Sequence, residues 1–210
     1  MKSKSTGSKT ILTLTLLVLI IGCTKIEQSQ QKSEVNKMPK KVLFIVAPQG
    51  YQDHEYSAPK KILEEAGLEV ITASKNKGLC HGAFGSTTQA TLSLDQVQVK
   101  DYDAFVFVGG PGATLYQHDS QAHSLAQEAL KQNRILAAIC ISPTTLAYAG
   151  VLKGKKATVW DDGQGTQIKI LEDNGATYLA QDVVVDGNLI TANGPPAAEK
   201  FGQAILEKLK

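Results

Sequence analysis

The sequence predicts an α/β fold: one open, doubly wound, mostly parallel sheet with helices on both faces. Three observations predict it. Short runs such as Lys41-Val-Leu-Phe-Ile-Val-Ala47, Asp103-Ala-Phe-Val-Phe-Val108 and Ile135-Leu-Ala-Ala-Ile139 read as buried strands. Amphipathic helical stretches alternate with them. Glycines stand at strand ends, where chains of this kind open a ligand crevice.

Composition narrows the function classes. A chain of 210 residues, 42% hydrophobic, suits one globular domain plus an appendage. The net charge of +2 is spread over both signs, so no nucleic-acid footprint is present. Arg134 is the sole arginine, which argues against a multi-arginine phosphate clamp. Cys23, Cys80 and Cys140 have no metal-ligand spacing and make no disulfide framework, and no metal, nucleotide or flavin is implied.

The appendage comes first. Lys2, Lys4 and Lys9 precede an apolar run, Ile11 to Ile21, too short to span a bilayer comfortably. It ends Leu19-Ile-Ile-Gly-Cys23, which resembles a bacterial lipobox. Residues 1–22 are therefore expected to be a lipoprotein signal peptide, with diacylglycerol on Cys23. Residues 23–39, rich in Gln, Ser, Lys and Glu, read as a flexible tether, and residues 40–210 as the folded domain. Such a protein would be lipid-anchored and extracytoplasmic, in the periplasm or on the outer face of the membrane.

Within the domain, the strand at Lys41–Ala47 is broken by Pro48, Gln49 and Gly50. A helix follows from about Asp53 to Ala66, closed by Gly67, and then a second strand at Glu69–Ala73. Gly78 to Gln89 is a polar excursion, with a short strand at Thr88–Leu92. The next strand, Asp103–Val108, ends in Gly109-Gly-Pro-Gly112; this lacks the glycine spacing of a dinucleotide site. Asp119 or Ser120 caps a helix running to about Asn133. After the strand at Ile135–Ile139, Ser142 and Pro143 read as N-cap and first position of a helix that Gly150 ends. Lys156–Trp160 reads as a strand and Thr166–Asn174 as a short helix. Val183–Thr191 is a hairpin turning at Asp186-Gly-Asn188, and a last helix follows Pro196.

Cys140 thus falls where a strand hands over to a helix, as in a nucleophile elbow with Cys in place of Ser. Backbone N–H groups and the helix end are expected to favour its thiolate. A buried core cysteine is the plain alternative. For Glu55, the plain alternative is a solvated residue in the first turn of a helix.

Lys41-Val-Leu-Phe-Ile45, Tyr51-Gln-Asp-His-Glu55, Asp101-Tyr-Asp-Ala-Phe-Val-Phe-Val-Gly-Gly110, Ala137-Ala-Ile-Cys140, Ala149-Gly-Val-Leu-Lys-Gly-Lys-Lys-Ala-Thr158 and Asp182–Thr191 together resemble the ThiJ/PfpI family, in the class I glutamine amidotransferase-like superfamily. The resemblance covers Lys40 to the C-terminus. It implies a single flavodoxin-like domain, a homodimer, and no cofactor. It also implies Cys140 as the reactive nucleophile and Glu55 as the acidic residue sharing a hydrogen bond with it. The backbone N–H groups of Gly110 and Ile141 would form the oxyanion pocket. The implied substrates are small reactive carbonyls, in glyoxalase- or deglycase-like chemistry.

The departures matter. PfpI-type members carry His directly after the cysteine; here Ile141 stands there, so peptidase activity loses its obvious base. His54, His81, His118 and His123 all precede Cys140, and amidotransferases need a downstream His. His118, just past the glycine turn, is the candidate base that remains. Trp160, Asp161 and Asp162 are candidate substrate-shaping residues or merely a turn. Cys80 reads as a structural thiol, with a Cys80–Cys140 disulfide open to it outside the cytoplasm. A redox-sensing or protective binding protein that uses an oxidisable Cys140 is the alternative from another class.

Overall fold

The computed structural model describes residues 39–210, so the signal segment, Cys23 and nearly all of the tether lie outside the described residues. In chain order the elements are β1 (Lys41–Ile45), β2 (Gln49–Tyr51), α1 (Asp53–Glu65), β3 (Glu69–Ser74), β4 (Gly78–Gly82), β5 (Thr87–Ala90) and β6 (Leu92–Ser93). There follow β7 (Ala104–Phe107), α2 (Ser120–Lys131), β8 (Ile135–Ile139), α3 (Pro143–Tyr148), β9 (Lys156–Ala157) and α4 (Thr166–Asp173). Last come β10 (Thr177–Tyr178), β11 (Val183–Asp186), β12 (Leu189–Ala192) and α5 (Ala198–Leu209).

The main sheet has seven strands in the order β11-β12-β8-β7-β1-β3-β6. Every pairing in it is parallel except that of β11 with β12. This is the doubly wound, mostly parallel α/β fold that the apolar runs predict. All residues of β7 and β8 are buried, because α1 and α5 pack together over one face while α2 and α3 pack over the other. Gly202 lets α5 approach α1 closely: a Cβ there would stand 2.8 Å from the Pro59 Cα.

The topology places the site. From β1 the chain winds outward through β3 to β6, then returns to β7 on the other side of β1 and winds outward again. The switch between β1 and β7 opens a crevice at the carboxyl ends of the strands. The start of α1, the glycines after β7 and the residues after β8 meet there. The described chain begins beside the amino end of β1, at the opposite end of the strands from the crevice. There the Lys40 amine donates to the Leu209 carbonyl and ties the start of the domain to its end.

Three local expectations are corrected. Gln49–Tyr51 is a strand rather than a plain break: β2 pairs parallel with β4, and β4 pairs antiparallel with β5. The polar excursion is therefore a three-stranded sheet of its own, beside the crevice. The strand expected over Lys156–Trp160 stops at Ala157. Thr158 N–H donates instead to the Thr191 hydroxyl at 2.9 Å, and Trp160 N–H to the Cys140 carbonyl at 2.9 Å, which takes this segment out of the ladder. Ser142 stands before α3 as an N-cap would, but it lies in helical conformation and caps nothing. Its hydroxyl donates to the Val108 carbonyl at 2.9 Å, joining the elbow to the end of β7.

Candidate active site

Cys140 follows β8 directly and has φ +64°, a left-handed conformation that costs a non-glycine residue about 1–2 kcal/mol. Two backbone bonds hold it there: its N–H donates to the Ala192 carbonyl at 2.9 Å, and its carbonyl accepts from Trp160 N–H at 2.9 Å. The end of β12 and the segment after β9 thus fix the elbow from both sides. The residue is 8% exposed.

Glu55 comes to the same point from the first turn of α1. Gln52 is the N-cap; its side-chain oxygen accepts the Glu55 N–H at 2.9 Å, and its own N–H donates to the Gly109 carbonyl at 2.9 Å. Those bonds dock the helix start on the end of β7. Glu55 is 0% exposed, so it is not the solvated first-turn residue of the plain alternative. Its carboxyl stands against the Cys140 thiol and Gly109 N–H, yet neither oxygen completes a well-aligned hydrogen bond. A buried carboxyl with both oxygens unpaired is costly, and few native groups are left so.

Gly109 makes this approach possible. A Cβ there would lie 2.5 Å from both the Cys140 Cβ and Glu55 Oε2. Gly110, with φ +102°, is crowded in turn by the Gln52 nitrogen and the Gly50 carbonyl, each 2.5 Å from where its Cβ would be. The N–H groups of Gly110 and Ile141 approach the sulfur and favour its thiolate, but burial and the neighbouring Glu55 charge oppose them. Burial dominates and pushes the Cys140 thiol up to about 12. Here the expectation of a thiolate favoured by the elbow is corrected: in a site this enclosed, desolvation outweighs two N–H groups and a short helix. Burial likewise raises the Glu55 carboxyl to about 7, against the opposing pull of Cys140 and Gly109 N–H. The two groups titrate as a pair, and the first proton leaves near neutrality.

The structure thus brings Cys140, Glu55, Gly110 and Ile141 together. His118 is exposed, with its ring on the Tyr148 ring at a centroid distance of 4.5 Å, at the far end of α3 from Cys140. His54 and His81 are exposed as well, and His123 bonds the Gln117 carbonyl at 2.8 Å. Trp160 is 41% exposed and beside the elbow through its N–H. Asp161 accepts from Gly163 and Gly165 N–H, and Asp162 from Gln164 N–H, so both build the loop before α4. Cys80 is buried in β4, and both it and Cys140 are free thiols. Among the described residues no group of three or more His, Cys, Asp or Glu is placed to hold a metal ion.

Gln52 and Gly109 are the site residues that sequence reasoning passed over. The signal for Gly109 was the doubled glycine directly after a buried strand; Gln52 is an uncommon N-cap type and gave none. Two surface grooves of about 480 and 450 Å³ lie elsewhere and include none of Gln52, Glu55, Gly109, Gly110, Cys140 and Ile141. The chemistry sits at the strand ends, so the size of a hollow does not mark it.

Comparison with known proteins bears on the family and the fold. A family model described as the DJ-1/PfpI family matches residues 40–208. An uncharacterized protein of Methanocaldococcus jannaschii is 36% identical over 203 residues, 96% of this chain and 98% of that one. Deglycase PfpI of Pyrococcus furiosus is 32% identical over 155 residues, 74% of this chain and 90% of that one. Among solved structures, a ThiJ/PfpI domain protein from Brachyspira murdochii superposes with a TM-score of 0.78 at 30% identity, covering 81% of this chain and 96% of its own.

Proposed function

This chain belongs to the DJ-1/PfpI family, and from that premise we propose that it is a cofactor-free cysteine enzyme acting on small reactive carbonyls, in the manner of a glyoxalase or deglycase. The deglycase-named relatives support an activity of the deglycase or protease kind. One observation carries the finer reading: the fully buried Glu55 carboxyl stands against the thiol of a strained elbow.

The chemistry follows from the two perturbed groups. Near neutral pH part of Glu55 is ionised while Cys140 holds its proton. As the sulfur adds to the aldehyde carbon of an α-oxoaldehyde, the carboxylate takes the thiol proton. The acid so formed returns it to the new alkoxide, with Gly110 and Ile141 N–H stabilising the negative oxygen. The product is a hemithioacetal. Moving its C1 proton to C2 gives a 2-hydroxyacyl thioester, and water releases the 2-hydroxy acid and the thiol. Overall, methylglyoxal and one water become lactate, with no outside oxidant. Glu55 acts as the base, which makes a histidine unnecessary. Lactate release from methylglyoxal by the purified protein, set beside Cys140→Ala, is the test; equal rates would remove Cys140 from the chemistry.

A redox sensor needs a thiol that ionises readily, since oxidation follows thiolate character. Addition to a carbonyl draws on the same thiolate character, so turnover separates the two readings: product release from a carbonyl supports the first, and oxidation of Cys140 without turnover supports the second. Peptidase chemistry is disfavoured by Ile141 after the nucleophile, although a putative cysteine protease of Bacillus subtilis is 31% identical. We propose further that Cys23 carries a lipid that holds the protein at the membrane outside the cytoplasm. Loss of acyl labelling in Cys23→Ser is the expected result. A homodimer is proposed as well, with light scattering of the purified protein as its check.

A further inference from the structure

At its carboxyl end Glu55 meets only the Cys140 thiol and Gly109 N–H, and neither contact is a well-aligned hydrogen bond. Its place must be set by the backbone that carries it, and that backbone is held from two directions. On one side is the Gln52 bond to Gly109 already described. On the other is Asp53, the first residue of α1, which reaches the turn between β4 and β5. Its Oδ2 accepts Phe84 N–H at 3.0 Å and its Oδ1 accepts Ser86 N–H at 2.7 Å. The same turn is tied twice more: Ala83 N–H donates to the Tyr51 carbonyl at 2.8 Å, and the Tyr51 and Ser86 hydroxyls are 2.9 Å apart. Gly82 leaves room for this, because a Cβ there would fall 2.4 Å from Asp53 Oδ2.

We propose that Asp53 is a positioning residue for Glu55: by clamping the first turn of α1 to the turn at residues 82–86, it keeps the Glu55 carboxyl against the Cys140 sulfur. The proposal rests on the reading of Glu55 and Cys140 as a working pair. The clamp is present as an anion at neutral pH. Burial opposes its ionisation, but the hydrogen bonds from Ser86 and Phe84 outweigh that and hold Asp53 below the usual carboxylate range. Tyr51 is the titratable neighbour of Asp53, and Cys140 that of Glu55.

The test is the pH dependence of Cys140 alkylation by iodoacetamide, read by mass spectrometry on the full chain. Wild type, Glu55→Gln, Asp53→Asn, Gly82→Ala and Phe84→Ala are compared. Wild type shows an inflection near neutral pH from Glu55, which Glu55→Gln lacks. Asp53→Asn and Gly82→Ala move that inflection by about one pH unit or more, as expected when a coupled charge is displaced. Phe84→Ala leaves it in place, because the 78% exposed side chain takes no part and only its backbone N–H is used. Asparagine keeps one acceptor oxygen, so Asp53→Asn carries the test even where Gly82→Ala melts early. An inflection unmoved in both clamp variants but absent from Glu55→Gln overturns the positioning role and leaves the pair standing. An inflection that persists in Glu55→Gln overturns both.

Discussion

Replacing Glu55 by glutamine should invert the usual effect of losing a charged residue. The carboxyl is buried and raised from 4.5 to about 7. Between those values the folded protein holds a proton that the unfolded chain has released. Stability from this group is therefore complete below the unfolded value of 4.5 and is lost as pH rises through about 7. At about 1.4 kcal/mol per pH unit the window is worth about 3 kcal/mol. Glutamine has the same shape and does not ionise, so the variant escapes that loss. Urea unfolding of both proteins, from about pH 4.5 to about pH 8, isolates the group, because all other carboxylates titrate in both. The stability difference should move in favour of Glu55→Gln by about 3 kcal/mol across this range. A difference flat to within about 0.5 kcal/mol would refute the assignment of a buried, raised carboxyl.

Two glycines should part company when changed to alanine. At Gly112 a Cβ would lie 1.7 Å from the Gln49 carbonyl, so unfolding measurements should show a loss of about 3 kcal/mol or no folded protein. At Gly150, which follows α3 with φ +75° and nothing within 4 Å of an added Cβ, the cost should be about 1 kcal/mol, from backbone strain alone. Trp160 is the only tryptophan, and its N–H holds the Cys140 carbonyl. Alkylation of Cys140 should therefore change the intrinsic fluorescence, and no change should occur in Cys140→Ala.

Much of the fold was legible because its signals are local. Ile135–Ile139 is wholly apolar and bounded by turn residues, and β8 occupies those residues. The second sheet was not legible. Gln49-Gly-Tyr51 is too short to show alternation, and Gly78–Gly82 has glycine at both ends, so only the pairing of β2, β4 and β5 makes strands of them. At the site, the elbow could be read from Cys140 between an apolar strand and Ser142-Pro143. Glu55 could not, because its partner lies 85 residues along the chain and only the resemblance joined them. The direction in which the thiol is shifted was misread for a similar reason. N–H groups and a helix end are visible locally, whereas desolvation depends on everything that packs around the sulfur.

The lengthwise polarity of the sheet has a practical consequence. Because β1, β7 and β8 run parallel, whatever precedes Pro39 joins the domain at one pole while the thiol opens at the other. A bead or a fused protein added at the leading end is therefore attached away from the thiol rather than across its approach.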